Sequence, residues 1–202
     1  MSVDLSTVST DKLFKIYRKH NFLCFCKYYF PKTVPLPFSK LIHYPFAKTI
    51  ERALTEPIFE GNIAPRDVSK TTLFGQLAPI FWIAHNRNEK VSFIQDTAGA
   101  ASDVIQSNMY EMETNEKLIA DFGKFRPNNP RLKWSYSEGG IVEGADDVKN
   151  PTLRGCGIKG ANIGKRTSKL VIDDIYNLES AATKVRRDGV SLWINTAVIP
   201  TV

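Results

Sequence analysis

Residues 63–72 read IAPRDVSKTT and lie between two apolar segments. The run before them, Pro57-Ile58-Phe59, predicts a short strand, and residues 73–84 are apolar at helical spacing. A strand, a tight loop ending in Ser-Lys-Thr and a helix form the context that a phosphate-binding loop requires. Backbone N–H groups and the dipole at such a helix start favour an anion. We therefore predict phosphate binding at residues 64–71, hereafter the phosphate loop.

The match of the phosphate loop to G-x-x-x-x-G-K-[ST] is incomplete. Ala64 stands at the first glycine position and Ser69 at the second, and Asp67 places a carboxylate where a triphosphate would bind. Lys70 is predicted to reach the β- and γ-phosphates and the Thr71 hydroxyl to bind Mg²⁺. An ordinary basic turn before a helix is the alternative, and only a second motif would displace it.

That second motif is residues 169–174, which read KLVIDD. An apolar run that ends in two acids predicts a buried strand with carboxylates at its carboxyl end, the edge where open α/β sheets bind ligands. Asp173 would hold Mg²⁺ and Asp174 would polarise the attacking water. A strand ending in a solvated acidic turn is the alternative. The two motifs together, in this order, are typical of a P-loop ATPase with intervening strands.

Composition limits the class of protein. The 202 residues are 43% hydrophobic and 24% charged, which is typical of one globular domain of ordinary size, and the net charge of +6 favours a polyanionic partner. We find no membrane-spanning run and no export signal, so we expect no membrane association. Cys24, Cys26 and Cys156 have no histidines at ligand spacing, so we expect packed, reduced cysteines in a cytoplasm.

The order of the predicted elements indicates an α/β fold. We expect a small N-terminal helical subdomain over residues 1–55 and a core over residues 56–202 with a mainly parallel central sheet flanked by helices. The predicted N-terminal helices cover residues 12–20, 22–30 and 38–54. Predicted core strands cover residues 90–97, 132–136, 140–144, 153–159 and 169–174, and predicted core helices follow the phosphate loop and cover residues 98–120 and 179–195.

Several segments, in order, resemble the ATPase domain of the large terminase subunit, the DNA-packaging motor of tailed phages. They are residues 64–72, 94–97, 115–118, 121–123, 134, 140–144, 153–155, 164–166 and 170–174. The resemblance implies a RecA-like P-loop NTPase core that uses ATP and Mg²⁺ to drive double-stranded DNA into a procapsid in the host cytoplasm. The family often has glycine at Asp67 and proline at Thr167.

The resemblance also implies roles for individual residues. Phosphate contacts map to Arg66, Asp67, Val68, Ser69, Lys70, Thr71 and Thr72, and Mg²⁺ contacts to Thr71 and Asp173. Asp174 takes the place of the catalytic carboxylate, a glutamate in many relatives. Arg66 matches an arginine acting in cis. Arg154 matches one that could reach a neighbouring subunit's ATP, unless it pairs with Asp146 or Asp147.

Partners follow from the same resemblance. It implies a ring of identical subunits, with a monomer as the expected state of an isolated domain, and contacts with the small terminase subunit and the portal. Residues 193–202 end the chain before the coupling motif and nuclease domain of the family, so we expect no DNA cleavage. Lys165 and Arg166 either contact DNA or lie in a solvated loop. A nucleotide-blind assembly module weakened by Asp67, or another P-loop nucleic-acid motor, remains the alternative function.

Overall fold

The computed structural model describes residues 10–34, 37–158, 160, 165–176 and 182–201. The chain divides into two compact units, Met1–Leu73 and Phe74–Val202, so the division falls within the helix after the phosphate loop, whereas we predicted a boundary after residue 55. The first unit carries 11 of the 27 basic and 6 of the 21 acidic residues, which gives it a formal charge of +5 out of +6.

The first unit contains three helices, α1 (Thr10–His20), α2 (Phe22–Tyr29) and α3 (His43–Arg52). The Asn21 side chain caps α2 by accepting from the Cys24 backbone N–H at 3.0 Å. Glu51 of α3 accepts from the Phe22 backbone N–H at 2.7 Å and from Asn21 Nδ2 at 3.1 Å. The beginning of α2 is therefore bound to the end of α3.

The second unit is an α/β structure. A π-helix, Thr71–Leu77, leads into α4 (Ala78–His85). In chain order there follow β1 (Val91–Gln95), α5 (Ala98–Thr114), α6 (Glu116–Phe122), β2 (Trp134–Ser135), β3 (Gly139–Gly140), β4 (Leu153–Gly157), β5 (Lys169–Ile172) and α7 (Lys184–Trp193). A π-helical turn, Ile194–Val198, and a 3₁₀ turn, Ile199–Thr201, follow α7. Among the described helices of the chain, none is long and apolar enough to cross a bilayer.

The five strands form one mixed sheet in the order β2-β3-β4-β1-β5. β1 is parallel to both β4 and β5, whereas β3 is antiparallel to both β2 and β4. The prediction of a mainly parallel sheet is therefore right only for its β4-β1-β5 half. The tight connection between β2 and β3 forces the antiparallel half. The connection also requires glycine at position 139. Gly139 has a φ of 85°, and a Cβ there would lie 2.1 Å from the Leu153 carbonyl oxygen.

Helical segments cover both faces of the sheet. On one face, Phe93 of β1 packs against Gly75 of the π-helix, where an added Cβ would lie 2.8 Å from the Phe93 ring. On the opposite face, Ile94 packs with Val198 and Trp193 at the C-terminal end. Because side chains alternate along a strand, odd-numbered residues of β1 lie on the Phe93 face and even-numbered ones on the Ile94 face.

Pro79 explains why the helix after the phosphate loop begins as a π-helix. In an α-helix the Gly75 carbonyl would accept from the N–H of residue 79, but proline has none and its ring clashes with that carbonyl. The buried Asn108 side chain donates from Nδ2 to the Gly75 carbonyl at 3.0 Å instead. A wider turn thus accommodates Pro79 while α5 satisfies the freed carbonyl.

Two predictions about local structure are wrong. Residues 57–65 contain no strand, and the Phe59 side chain is 97% exposed. A strand needs a partner, and the described residues of the first unit form none. The predicted helix over residues 98–120 is divided at Asn115, whose side chain accepts from the Leu118 backbone N–H at 3.1 Å and starts a new helix.

The remaining elements overlap the predicted segments. Most are shorter, but α1 begins two residues earlier than predicted and the helical segment after the phosphate loop covers residues 71–85. Part of each of three predicted segments lies outside the described residues: Lys159 of the predicted β4 strand, residues 161–164 of the basic loop, and residues 179–181 of the last helix. Cys24, Cys26 and Cys156 are free, and the latter two are buried, in agreement with packed cysteines.

Candidate nucleotide-binding site

The backbone of the phosphate loop is left-handed at two residues that are not glycine. Asp67 has a φ of 63° and Ser69 a φ of 60°, and among the described residues Asp174, with 43°, is the one other such non-glycine residue. This conformation costs a residue with a side chain roughly 1–2 kcal/mol. Such strain clusters at functional sites. The loop therefore keeps a backbone suited to glycine although it lacks glycine.

The sign of φ alternates along the loop. Val68, between the two left-handed residues, has a negative φ. Where right- and left-handed residues alternate, their N–H groups can turn toward a common centre and form an anion-binding nest. The Ser69 carbonyl accepts from the Leu73 backbone N–H at 2.8 Å, so the helix begins directly after this turn. Phosphate binding by the loop backbone stays a prediction.

Lys70 closes the loop on itself. Its Nζ donates to the carbonyl oxygens of Ala64 at 2.6 Å and Pro65 at 2.8 Å. An ammonium group has three hydrogens, so these two bonds leave one for a ligand. The predicted phosphate lysine is therefore held at the loop by the backbone of the loop.

The other predicted residues of the phosphate loop differ in exposure. Arg66 and Asp67 are exposed, and Val68, Thr71 and Thr72 are half-buried. Thr71 and Thr72 lie in the first turn of the helix, where N–H groups lack partners within the helix. Contacts of these side chains with a nucleotide remain predictions.

The predicted acids follow β5 and meet the end of β1. Because β1 and β5 are parallel, their carboxyl ends lie at the same edge of the sheet. The Asp173 N–H donates to the Ile94 carbonyl at 2.9 Å, so the pairing continues one residue beyond β5. Gln95 donates from Nε2 to Asp173 Oδ2 at 3.4 Å. Asp174 is exposed and left-handed, which turns the chain away from the sheet.

Sequence reasoning missed Gln95 as a site residue. The signal available was a polar residue at the end of a predicted strand, directly before Asp96. Alternation along β1 places Gln95 on the Phe93 face, and its partner Asp173 is on that face too. This is also the face against which Gly75, in the helix that leaves the phosphate loop, packs.

The chemistry of these groups fits Mg²⁺ bound together with a nucleotide. Within the described ranges, no group of three or more His, Cys, Asp or Glu residues could hold a metal ion. Magnesium in nucleotide sites usually has one or two carboxylate ligands, with water and phosphate oxygens completing six. Asp173 would therefore need no second carboxylate to hold the ion, provided that water and phosphate oxygens complete its coordination.

Arg154 lies inside the second unit. Its side chain is 5% exposed, and it donates from Nε to Ser92 Oγ at 2.7 Å and from Nη2 to Thr167 Oγ1 at 2.8 Å. Burial lowers its pKa. A role in a neighbouring subunit's site would require Arg154 to leave these bonds. Thr167 is one of its acceptors.

Comparison of the chain with protein-family models gives no match, and comparison with curated proteins gives none of significant similarity. The resemblance to packaging motors therefore rests on the quoted residues and their order.

Proposed function

We propose that the chain is a Mg²⁺-dependent P-loop ATPase domain, with a RecA-like core, of a motor that packages viral double-stranded DNA. One observation carries the proposal. The three left-handed non-glycine residues of the described chain, Asp67, Ser69 and Asp174, fall in the two segments predicted to bind ATP–Mg²⁺. Ordinary turns also accept left-handed Asp residues, so the support comes from the coincidence of all three residues with the two predicted segments.

Each residue has a defined task in this proposal. The phosphate-loop N–H groups and Lys70 bind phosphate oxygens, Thr71 and Asp173 hold Mg²⁺, and Asp174 orients the attacking water. Lys70 keeps its bonds to the Ala64 and Pro65 carbonyls and uses its remaining hydrogen for phosphate. Bound Mg²⁺ would supply charge neutralisation at the γ-phosphate.

The proposed partners are double-stranded DNA, the small terminase subunit and the portal, in the host cytoplasm. A ring of subunits would assemble for packaging, with Arg66 acting in cis and Arg154 in trans. The charge of the first unit, +5, supports a polyanionic partner. Lys165 and Arg166 are exposed, which is compatible with DNA contact.

A nucleotide-blind assembly module is the second candidate function, and Asp67 favours it. An exposed carboxylate in the phosphate loop opposes a bound triphosphate, and the loop could keep its shape without a ligand because Lys70 closes it. The other alternative, a different P-loop nucleic-acid motor, uses the same ATP site and differs in its partner.

Calorimetry of ATP–Mg²⁺ binding to the chain and to Lys70→Ala tests the proposal. We expect binding to the wild-type chain and its loss in Lys70→Ala. Lys48→Ala, which removes an exposed lysine of α3 in the same unit, is the matched control and should bind normally. Absence of binding to a folded wild-type chain would reject the ATPase and support the assembly module. Equal binding by Lys70→Ala would place the nucleotide elsewhere.

A further inference from the structure

Gln95 is a buried amide whose two ends have different surroundings. The side chain is 9% exposed at the end of β1. Its Nε2 donates to Asp173 Oδ2 at 3.4 Å, whereas its Oε1 is buried and has no hydrogen-bond partner. A buried acceptor without a partner costs about 1–3 kcal/mol. Fold stability alone therefore does not explain glutamine at this position.

Asn108 provides the comparison. It is also a buried amide with an unpartnered oxygen, Oδ1, but its Nδ2 donates to the Gly75 carbonyl. That carbonyl needs the bond, because Pro79 cannot supply it. Asp173 is half-buried, so its carboxylate also meets water. The amide of Gln95 thus donates to a carboxylate that can also accept hydrogen bonds from water.

We propose that Gln95 is a positioning residue that orients the Asp173 carboxylate toward Mg²⁺. A carboxylate rotates freely about its terminal bond, so a ligand held at one oxygen presents the other in a fixed direction. The bond from Gln95 Nε2 to Oδ2 sets the direction in which the other oxygen, Oδ1, points. Outer groups of this kind orient metal ligands in many sites. The inference rests on the proposed function, because it assumes that Asp173 binds Mg²⁺.

Gln95→Met tests the inference, since methionine has similar length and no amide. Gln106→Met, at an exposed position of α5, is the matched control. Calorimetry would give the ATP dissociation constant with Mg²⁺ and with EDTA. The constant in EDTA divided by the constant with Mg²⁺, hereafter the metal ratio, reports the contribution of the metal. We expect this ratio to fall on the order of tenfold in Gln95→Met. ATP affinity in EDTA should not change.

Urea denaturation supplies the readout that separates positioning from a structural role. Gln95→Met removes an unpaired buried acceptor, so its free energy of unfolding should equal or exceed that of the wild type. A wild-type metal ratio in Gln95→Met, with or without a loss of stability, would overturn the inference and leave the proposed function intact. Failure of the wild-type chain to bind ATP at all would reject both.

Discussion

Asp67→Asn should tighten ATP binding about tenfold. Asp67 is an exposed residue of the phosphate loop, so its carboxylate repels a bound triphosphate through water. At a separation of roughly 7 Å, each unit of phosphate charge contributes about 0.6 kcal/mol of repulsion. The two nearest charges together give about 1.2 kcal/mol, and a tenfold change in affinity corresponds to about 1.4 kcal/mol.

The choice of substitution separates charge from backbone strain. Asparagine tolerates the left-handed conformation of Asp67, so Asp67→Asn changes the charge alone. Asp67→Gly removes the same charge and also accepts the left-handed conformation. Glycine should therefore bind ATP about as tightly as asparagine. Asp67→Ala removes the charge too but carries the left-handed penalty of about 1–2 kcal/mol, so it should bind more weakly than either.

Calorimetry at two salt concentrations is the assay. Screening shortens the reach of charge from about 8 Å at 0.15 M to about 3 Å at 1 M salt, so the gain in Asp67→Asn should shrink at high salt. Wild-type affinity in Asp67→Asn at low salt would show that the carboxylate is remote from the phosphates. A gain independent of salt would show that its effect is not electrostatic.

Two further predictions concern the second unit. Arg154→Met should lower the free energy of unfolding, measured in urea, by about 2–4 kcal/mol, because buried partners such as Thr167 lose a charged donor. Exposed Arg166→Met is the control. An unchanged stability of Arg154→Met would instead favour the intersubunit role. Burial alone would raise the pKa of Glu113, but hydrogen bonds from Tyr136, Arg126 and Trp134 lower this pKa overall. The ionised carboxylate therefore stabilises the fold at pH values above its unfolded pKa, and this stabilisation is lost as pH falls. The difference in unfolding free energy between wild type and Glu113→Gln should therefore shrink from pH 7 to below about 4.5, and a constant difference would contradict the assigned hydrogen bonds.

The local sequence pattern predicted the positions of most helices and strands. β1, β4 and β5 form within the predicted runs, although β1 contains Ser92 and β4 contains the buried Arg154. The strand at residues 57–59 was wrong because three apolar residues do not specify whether a partner strand exists. The break at Asn115 was missed because a helix-capping side chain competes with a long apolar repeat.

The candidate site was predictable only in part. The motifs identified Lys70 and Asp173 by type and spacing. The bond from Gln95 to Asp173 joins residues 78 positions apart, and only the strand register brings them together. The sequence also suggested that Asp67 matters through its charge, whereas the structure adds its left-handed backbone.

Glycine substitutions at the three left-handed residues should separate loop shape from chemistry. At Asp67, Ser69 and Asp174 glycine relieves conformational strain, so none of the three changes should destabilise the fold through its backbone. Asp67 and Ser69 contribute backbone shape to the proposed site, and glycine there should keep or improve ATP binding. Asp174 contributes its carboxylate, so Asp174→Gly should bind ATP but lose turnover by a factor of about 10² or more, the contribution typical of a general base. If Asp174→Gly hydrolysed ATP at the wild-type rate in a single-turnover assay, strain at this position would reflect only the exit of the chain from the sheet. If instead glycine at Asp67 and Ser69 abolished binding, the loop would recognise its ligand through side chains, and the backbone nest would not be the binding element.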